Sequence, residues 1–361
     1  MNKPMSSSLP TSPVQIFEER LNARWTNISE ARRLSINTRA ILKCELSGVD
    51  SEDCSLVVSG SLARDEFTLG SDIDWTLLID GQADPDVIET LPRIVSVVEE
   101  VAGKKPGREG TFGAMAFSHN LVHQIGGEDD TNRNTTRRIL LLLESIAIGR
   151  SEAYERVVKS VLRRYISEDD GFQRGHGKTH VPRFLQNDFA RYWRTMAVDF
   201  AYKRRSRFGS GTAIRNLKLR MSRKLIYVSG LLTCFRCELE RNKCPAFASD
   251  PAGSTTAECL TCLRESLKLT PLEILATSLN AFPHLDAAGR RAFDAYDNFL
   301  GMLSDNETRD HLEKLQPDAE GLDATWQEAR RTTHEFRDAL LEIFFDEQSK
   351  LHDLTKTYGV F

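Results

Sequence analysis

The sequence has no long apolar run. Its longest uninterrupted apolar stretch is Ile139 to Leu143, with Ile146 to Ile148 following two residues later, whereas a membrane-spanning helix needs about 20 apolar residues. The opening residues 1–13 are rich in Ser and Pro and lack the apolar segment of a signal peptide, so they are predicted to form a disordered lead. These absences predict a cytoplasmic protein without a membrane partner.

A strong charge of one sign is also missing. The 48 Lys and Arg residues and the 52 Asp and Glu residues give a formal net charge of −4, so any surface that attracts polyanions must be local. A hydrophobic fraction of 40% over 361 residues is typical of a globular protein with room for two domains. The sequence contains no His-Glu-x-x-His motif, no Ser-centred nucleophile elbow and no EF-hand loop.

One stretch, Val57 to Ile79, combines features of a phosphate site and a metal site. An apolar strand runs into Gly60 and Ser61, and a second strand is predicted to open with Asp72-x-Asp74. Side chains two residues apart on a strand face the same way, and two like charges side by side repel unless a cation lies between them. Carboxylate oxygens suit Mg²⁺, which also binds the phosphates of a substrate. Gly60 lets the backbone approach a ligand, and Ser61 offers a hydroxyl and N–H donors.

The same residues resemble the signature of a known enzyme superfamily, the DNA polymerase β-like nucleotidyltransferases. That signature is a Gly-Ser pair followed about ten residues later by Asp-x-Asp or Asp-x-Glu. The chain is most similar to the minimal nucleotidyltransferases and to the catalytic domain of PII-protein uridylyltransferase, over roughly its first 150 residues. The residues that carry the resemblance are Gly60, Ser61, Ala63, Arg64, Glu66, Ser71, Asp72, Ile73 and Asp74.

The resemblance implies an enzyme that depends on Mg²⁺ or Mn²⁺ and moves a nucleoside monophosphate from an NTP, ATP or UTP, to an acceptor hydroxyl, with release of pyrophosphate. Asp72 and Asp74 would be the catalytic residues and the metal ligands. Gly60 and Ser61 would bind the nucleotide with the help of Arg64.

The acceptor is left open by the sequence. It could be a protein, as in AMPylation and UMPylation, or a second nucleotide, giving a cyclic or linear oligonucleotide messenger as in the cGAS-like bacterial synthases. It could also be an RNA 3′ end. An alternative from another class is a catalytically silent nucleotide-binding regulatory module.

The expected third carboxylate is not found where the resemblance places it. The superfamily usually supplies this group from a later strand, as a base or a metal ligand, yet Thr111 to Gly127 contains no acid. The gap supports the silent alternative and leaves the general base unassigned. His119 and His123 lie in this stretch and a neutral imidazole can accept a hydroxyl proton, but the favoured interpretation is strand histidines with structural hydrogen bonds.

A basic segment between Arg191 and Lys224 contains eleven Lys and Arg residues and one acid, Asp199. Helical spacing places Lys218 and Ser222 on one face. In related two-lobed nucleotidyltransferases a Lys and a Ser of the second lobe hold the β- and γ-phosphates, so the resemblance implies that Lys218 and Ser222 bind the nucleotide. The alternatives are a solvated basic face and a track for the phosphate backbone of RNA or DNA.

Hydrophobic periodicity predicts an α+β fold, in which a small mixed-sheet nucleotidyltransferase lobe precedes an all-α helical lobe. The predicted domains are the lead over 1–13, the catalytic domain over 14–130 and the helical domain over 131–361, with the substrate in the cleft between the lobes. The predicted elements near the site are strands over Ser55 to Ser59 and Asp72 to Ile79, further strands within Thr111 to Ile125, and a helix from Arg137 to Ile148.

Four of the seven cysteines form two Cys-x-x-Cys pairs, which are separated by 21 residues, near the spacing of zinc sites. The pairs are Cys234 with Cys237 and Cys259 with Cys262. Against a structural Zn²⁺ ion, the first pair continues a predicted helix, and neither pair has the Gly or Pro of a knuckle turn. Buried free thiols are the favoured interpretation.

Overall fold

The fold is α+β, as predicted, with helices packed around a four-stranded mixed sheet. The computed structural model describes residues 11–82, 84–103, 113–169, 181–206, 211–240 and 254–359. The strands are β1 Cys54–Ser59, β2 Asp74–Ile79, β3 Ala114–Phe117 and β4 Ser145–Ile148. The helices are α1 Pro13–Arg20, α2 Thr26–Glu45, α3 Asp86–Glu89, α4 Leu91–Ala102, α5 Ser118–His123, α6 Asn132–Leu143, α7 Glu152–Ser167, α8 Arg183–Ser206, α9 Thr212–Lys218, α10 Lys224–Leu239, α11 Ser254–Ser266, α12 Pro271–Leu279, α13 Asp286–Ser304, α14 Asn306–Lys314, α15 Ala324–Phe345 and α16 Lys350–Leu354. None of the helices in these ranges is long and apolar enough to cross a bilayer.

The sheet has the strand order β3-β2-β1-β4. Strand β1 is antiparallel to both of its neighbours, β2 and β4, whereas β2 and β3 are parallel. Ser59, the last residue of β1, pairs with Asp74 on one side and with Ser145 on the other. The end of β1 and the beginnings of β2 and β4 therefore lie side by side at one end of the sheet.

The predicted helix from Arg137 to Ile148 is wrong beyond Leu143. The chain leaves α6 at Glu144 and continues as β4, which pairs with β1. A short run that is apolar at nearly every position fits a buried helix and a buried strand equally well, so the choice is made by tertiary pairing with the open edge of β1. The prediction of several strands within Thr111 to Ile125 is also wrong in its second half, because the described part of that stretch forms β3 and then α5.

The two faces of the sheet pack against different cores. Leu56, Trp75 and Leu77 face a core that includes Leu42 of α2 and Ile94 of α4. Alternate residues of the same strands face the helices on the opposite side, where the larger core lies. Since Asp74 alternates with Trp75, its carboxylate lies on the face that is turned towards these helices.

The larger core crosses the boundary predicted between residues 130 and 131. Phe17 of α1 and Trp25 pack on Phe293 of α13, and the ring centroids of Trp25 and Phe293 lie 4.6 Å apart. Ser12, within the predicted disordered lead, is 3% exposed and caps α1 in a reciprocal pair of hydrogen bonds with Gln15. Residues 1–10 of that lead lie outside the described residues.

Candidate active site

Asp72 and Asp74 lie together at the start of β2. Asp74 is the first residue of the strand, and Asp72 precedes it in the loop. Ile73 between them is 1% exposed and packs in the same core as Trp75, so the chain already alternates here and turns both carboxylates away from that core. Asp72 is exposed and Asp74 is partly buried. The pair therefore opens towards the helical side of the molecule.

Gly60 lies directly against the carboxylate of Asp74. Its φ is +72°, a conformation that glycine adopts without steric cost. A Cβ atom placed on Gly60 would lie 3.1 Å from Asp74 Oδ2. The missing side chain therefore leaves a cradle beside the carboxylate, which suits a hard cation or a phosphate oxygen.

The turn after β1 is a short 3₁₀ turn, Gly60–Leu62, and not the start of a longer helix. Arg39 of α2 holds the end of this turn, with Nη1 donating to Leu62 O at 2.5 Å and to Asp65 Oδ1 at 2.7 Å. Asp65 needs this support because its φ is +61°, which is unfavourable for a residue with a side chain. Ser61 lies half-buried within the turn.

Glu144 is a buried acid that the sequence interpretation missed. It joins α6 to β4, and its backbone carbonyl accepts a hydrogen bond from Gly60 N at 3.2 Å. Its side chain is 1% exposed and lies between two arginines: Arg64 Nη1 donates to Oε2, and Arg223 Nη1 lies 2.9 Å from Oε1. Tyr192 OH donates to the same Oε1 at 3.2 Å. A signal was present in the sequence, since Glu144 is the one charge in the apolar run from Ile139 to Ile148.

Arg64, which the resemblance assigns to the nucleotide, lies 5% exposed among carboxylates. Besides its contact with Glu144, its Nη2 and Nε donate to Glu66 Oε2 at 2.7 and 2.9 Å. Tyr296 of α13 donates to the other oxygen of Glu66 at 2.7 Å. Although burial alone would lower the pKa of Arg64, the two glutamates raise it above its ordinary value. Arg64 thus orients Glu144, and its contact with a nucleotide stays a prediction.

The electrostatic balance at Asp74 favours a bound cation. Burial is the largest of the causes that raise the pKa of Asp74 from 3.8 to about 6. Arg223 and Arg64 oppose the rise, whereas the negative charges of Glu144 and Asp72 add to it. A group whose negative charge is disfavoured in this way gains when a cation binds beside it.

A cavity of about 310 Å³ has Arg223 on its wall, and this residue lies near the carboxylates. Arg223 connects the two places, because it lines the cavity and its charge acts on Asp74. The walls carry three cations, Arg133, Lys203 and Arg223, against one acid, Asp199, which lies 2.8 Å from Lys203 Nζ. Two threonines, an asparagine and a tyrosine add polar groups. The cavity therefore has the charge and the hydrogen-bonding capacity to hold phosphate groups.

The basic segment of the sequence reaches this cavity through a π turn. The residues Leu219–Arg223 form a π turn between α9 and α10, which adds a residue to the helical turn and shifts the faces beyond it. Among the described residues that line the cavity, Arg223 is present and the implied phosphate ligands Lys218 and Ser222 are not. The hydroxyl of Ser222 donates to Lys218 O at 3.2 Å.

His119 and His123, the two candidate bases, lie on helix α5 and not on a strand. Helix α5 follows Phe117, which pairs with Ile79 at the far end of β2. At about 3.3 Å per residue, the start of α5 is about 17 Å from Asp74. Both imidazoles are exposed, with their ring centroids 4.9 Å apart. The hypothesis that either one serves as the base gains no support from this placement.

The four cysteines lie where α10 crosses α11. The Sγ atoms of Cys237 and Cys259 are 3.3 Å apart, and Cys262 Sγ lies 3.7 Å from Glu240 Oε2. Burial raises the pKa of Cys234 above its ordinary value. Across the described ranges, no group of three or more His, Cys, Asp or Glu side chains is arranged to hold a metal ion.

Comparison with known proteins finds no matching family model and no similar curated protein. The chemical assignment therefore depends on the geometry of the site. Its described parts are a carboxylate pair, the cradle of Gly60 and a basic cavity that is linked to Asp74 through Arg223. The donor set fits a divalent cation that takes two carboxylates from the protein and its other ligands from phosphates and water.

Proposed function

We propose that this chain is a Mg²⁺-dependent nucleotidyltransferase, which moves a nucleoside monophosphate from an NTP to an acceptor hydroxyl and releases pyrophosphate. The observation that carries the proposal is the approach of Gly60 to Asp74, at 3.1 Å for a hypothetical Cβ. It leaves room at a carboxylate whose negative charge is disfavoured by burial. Asp72 completes the pair.

Each part of the site has a role in this reaction. Mg²⁺ held by Asp72 and Asp74 would offset the charge of the phosphates at the reacting phosphorus. Gly60 lets the backbone approach the substrate, and Arg223 faces the phosphates from the helical side of the cavity. Glu144 holds Arg223 at 2.9 Å. A positively charged wall of fixed geometry stabilises the charge that develops on the phosphoryl oxygens.

Glu144 bears on the alternative of a silent nucleotide-binding module. That alternative drew its support from the missing acid in Thr111 to Gly127, and Glu144 brings a third carboxylate close to Asp74 from a different element. Because both of its oxygens face arginines, Glu144 positions these side chains and does not act as the base. The general base therefore stays unassigned, and Glu144 supports the proposal by fixing Arg64 and Arg223 near Asp74.

Replacement of both aspartates tests the proposal. We expect the Asp72→Ala/Asp74→Ala variant to lose transfer of label from α-³²P-NTP by a factor of about 100 or more, because both metal ligands are removed. The measurement is the labelled product with each of the four NTPs, with Mg²⁺ or Mn²⁺ and with candidate acceptors.

Asp86→Ala is the matched control, since Asp86 is an exposed acid in α3. Undiminished transfer by the double variant would reject the assignment of the carboxylates. Binding of NTP by the wild-type chain without any release of pyrophosphate would favour the silent module.

A further inference from the structure

A second cavity, of about 560 Å³, lies along α8. Asn132 and Thr195 line both this cavity and the basic cavity that contains Arg223, so the two cavities are neighbours. A volume between about 300 and 1,000 Å³ is usual for small-molecule sites. The proposed transfer of a nucleotide needs a place for the acceptor, and this cavity has not been given a role.

Gln186, on the wall of the second cavity, carries a buried polar atom that has no hydrogen-bond partner among the described residues. This side chain is 5% exposed and its Nε2 donates to the backbone carbonyl of Tyr358. Because a carbonyl only accepts, this contact fixes the orientation of the amide. Gln186 Oε1 is then buried without a hydrogen-bond partner in the described part of the chain. A buried acceptor of this kind is unfavourable until a donor reaches it, and an amine or hydroxyl of a ligand would be such a donor.

The charge of the second cavity is positive. Arg191 is fixed at its wall by Asp130, with Nη1 donating to Oδ2 at 3.1 Å and Nη2 donating to the backbone carbonyl at 2.7 Å. Arg194 is exposed and forms no ion pair within the described ranges. The one acid on the wall, Asp188, already accepts hydrogen bonds from Arg138 and Tyr165. An anionic group, such as a phosphate, is therefore favoured at the two arginines.

Aromatic rings complete the wall. Tyr227 is half-buried, and its ring stacks on Trp193 with centroids 6.0 Å apart and an interplanar angle of 19°. The partner ring holds Tyr227 in place at the edge of the cavity, where it offers apolar surface to a planar or sugar group. Tyr358 borders the cavity on the other side of Gln186.

From these observations we infer that the second cavity binds a phosphorylated small molecule with an amine or hydroxyl donor, and that this molecule is the acceptor of the nucleotidyl group. The binding stands by itself, whereas the acceptor role rests on the proposed function. In the transfer, the acceptor oxygen forms the bond to the α-phosphorus and the bond to pyrophosphate breaks. Pyrophosphate leaves with the electron pair, and the hydroxyl proton goes to water.

Calorimetric titration of the full-length chain tests the binding without reference to catalysis. The probes are the nucleoside 5′-monophosphates, ribose 5-phosphate and inorganic phosphate. Gln186→Met removes the buried acceptor, and Arg194→Ala removes an exposed cation that the fold does not need. We expect each substitution to weaken binding of the organic phosphates about tenfold or more, whereas Asp86→Ala, at an exposed acid in α3, leaves their binding unchanged.

The outcomes separate the inference from the proposed function. If the nucleoside monophosphates bind more tightly than ribose 5-phosphate, the ligand is a nucleotide. If ribose 5-phosphate binds as tightly as the nucleoside monophosphates, the ligand is a sugar phosphate. Binding of inorganic phosphate as tightly as all the others, no saturable binding, or binding that survives both cavity substitutions would overturn the inference. Transfer to a bound probe that is lost in the Asp72→Asn/Asp74→Asn variant supports the acceptor role. Transfer that needs neither Gln186 nor Arg194 would reject it.

Discussion

Asp74 lowers the stability of the folded chain at neutral pH. Burial raises its pKa in the folded state to about 6, against 3.8 for an ordinary Asp. A folded-state pKa above the unfolded one means that the folded chain holds a proton more tightly, so the contribution to stability is present at acidic pH and is lost as pH rises through about 6. The difference corresponds to at most about 3 kcal/mol.

Substitution of Asp74 by Asn should therefore stabilise the metal-free protein at neutral pH. We expect the free energy of unfolding of Asp74→Asn to exceed that of the wild type by as much as about 2–3 kcal/mol at pH 7.5 and by only about 1 kcal/mol at pH 4.5, where the folded carboxyl is protonated and the unfolded one is still largely ionised. Urea unfolding in EDTA at the two pH values measures this difference. The exposed acid Asp86, changed to Asn, is the control. A gap that is the same at both pH values would show that ionisation of Asp74 is not its cause.

The π turn Leu219–Arg223 is the element that brings the helical half to the carboxylates. It places Arg223 against Glu144 and beside Asp74. Arg220, in the same turn, points to a different partner, since its Nε donates to Asn216 Oδ1 at 2.9 Å. The two arginines form a matched pair for separating a local electrostatic effect from a general loss of charge.

Substitution of Arg223 should change the pH dependence of the site. The Arg223 guanidinium lowers the pKa of Asp74, so Arg223→Met should raise that pKa above about 6. Since the ionised carboxylate is needed to hold a metal, we expect the acid limb of Mn²⁺ binding and of transfer to move to higher pH. Arg220→Met should leave the limb in place. An Arg223→Met profile that coincides with that of the wild type would exclude an electrostatic role for Arg223.

Sequence patterns located some elements and missed others for physical reasons. Strands β1 and β2 were predicted because Gly60 and Ser61 end the first apolar run and the Asp-x-Asp pair begins the second. Strand β4 was missed, and Glu144 with it, because the run from Ile139 to Ile148 is apolar on every face and only the edge of β1 decides its conformation. The π turn could not be predicted from the spacing either; it places Arg223 on the wall of the basic cavity, and the assignment of Lys218 and Ser222 to the nucleotide stays a prediction.

The predicted pairing of Asp72 with Asp74 follows from a local rule, the period of an extended chain, and the structure places the two together. The basic cavity, in contrast, could not be predicted from any local sequence pattern. Its walls come from α6, α8 and the π turn, which are far apart in the sequence. Local patterns therefore indicated the carboxylates, and only the tertiary fold shows which cations accompany them.

At the scale of the whole molecule, a buried ionic chain joins the sheet to the helices. Tyr296 of α13 donates a hydrogen bond to Glu66, and Arg64 forms ion pairs with both Glu66 and Glu144. Arg223 and Tyr192 complete the chain from the helical side. Arg309 of α14 makes a further contact, donating to Thr68 Oγ1 at 3.3 Å above the loop that leads to Asp72. The site is thus built from both halves of the sequence.

Glu144→Ala should destabilise the whole molecule. The substitution leaves the buried Arg64 without one of its two carboxylates, and loss of one partner from a buried ion pair costs about 3–5 kcal/mol. We expect a reduction of that order in the free energy of unfolding, measured by urea titration. Glu152→Ala is the control, because the Glu152–Arg150 pair lies at the surface and should contribute little. Equal effects of the two substitutions would contradict the role of Glu144 as a link between the halves.

Gly60 limits how this sequence can change over time. A site is usually conserved through the groups that do chemistry, and Gly60 has no such group. Its constraint is the volume that it leaves empty, since even the single carbon of alanine would lie 3.1 Å from Asp74 Oδ2, on a backbone with φ of +72°. Exchange of Gly60 for any larger residue would therefore strain the backbone and crowd the carboxylate of Asp74, although it removes no reacting group.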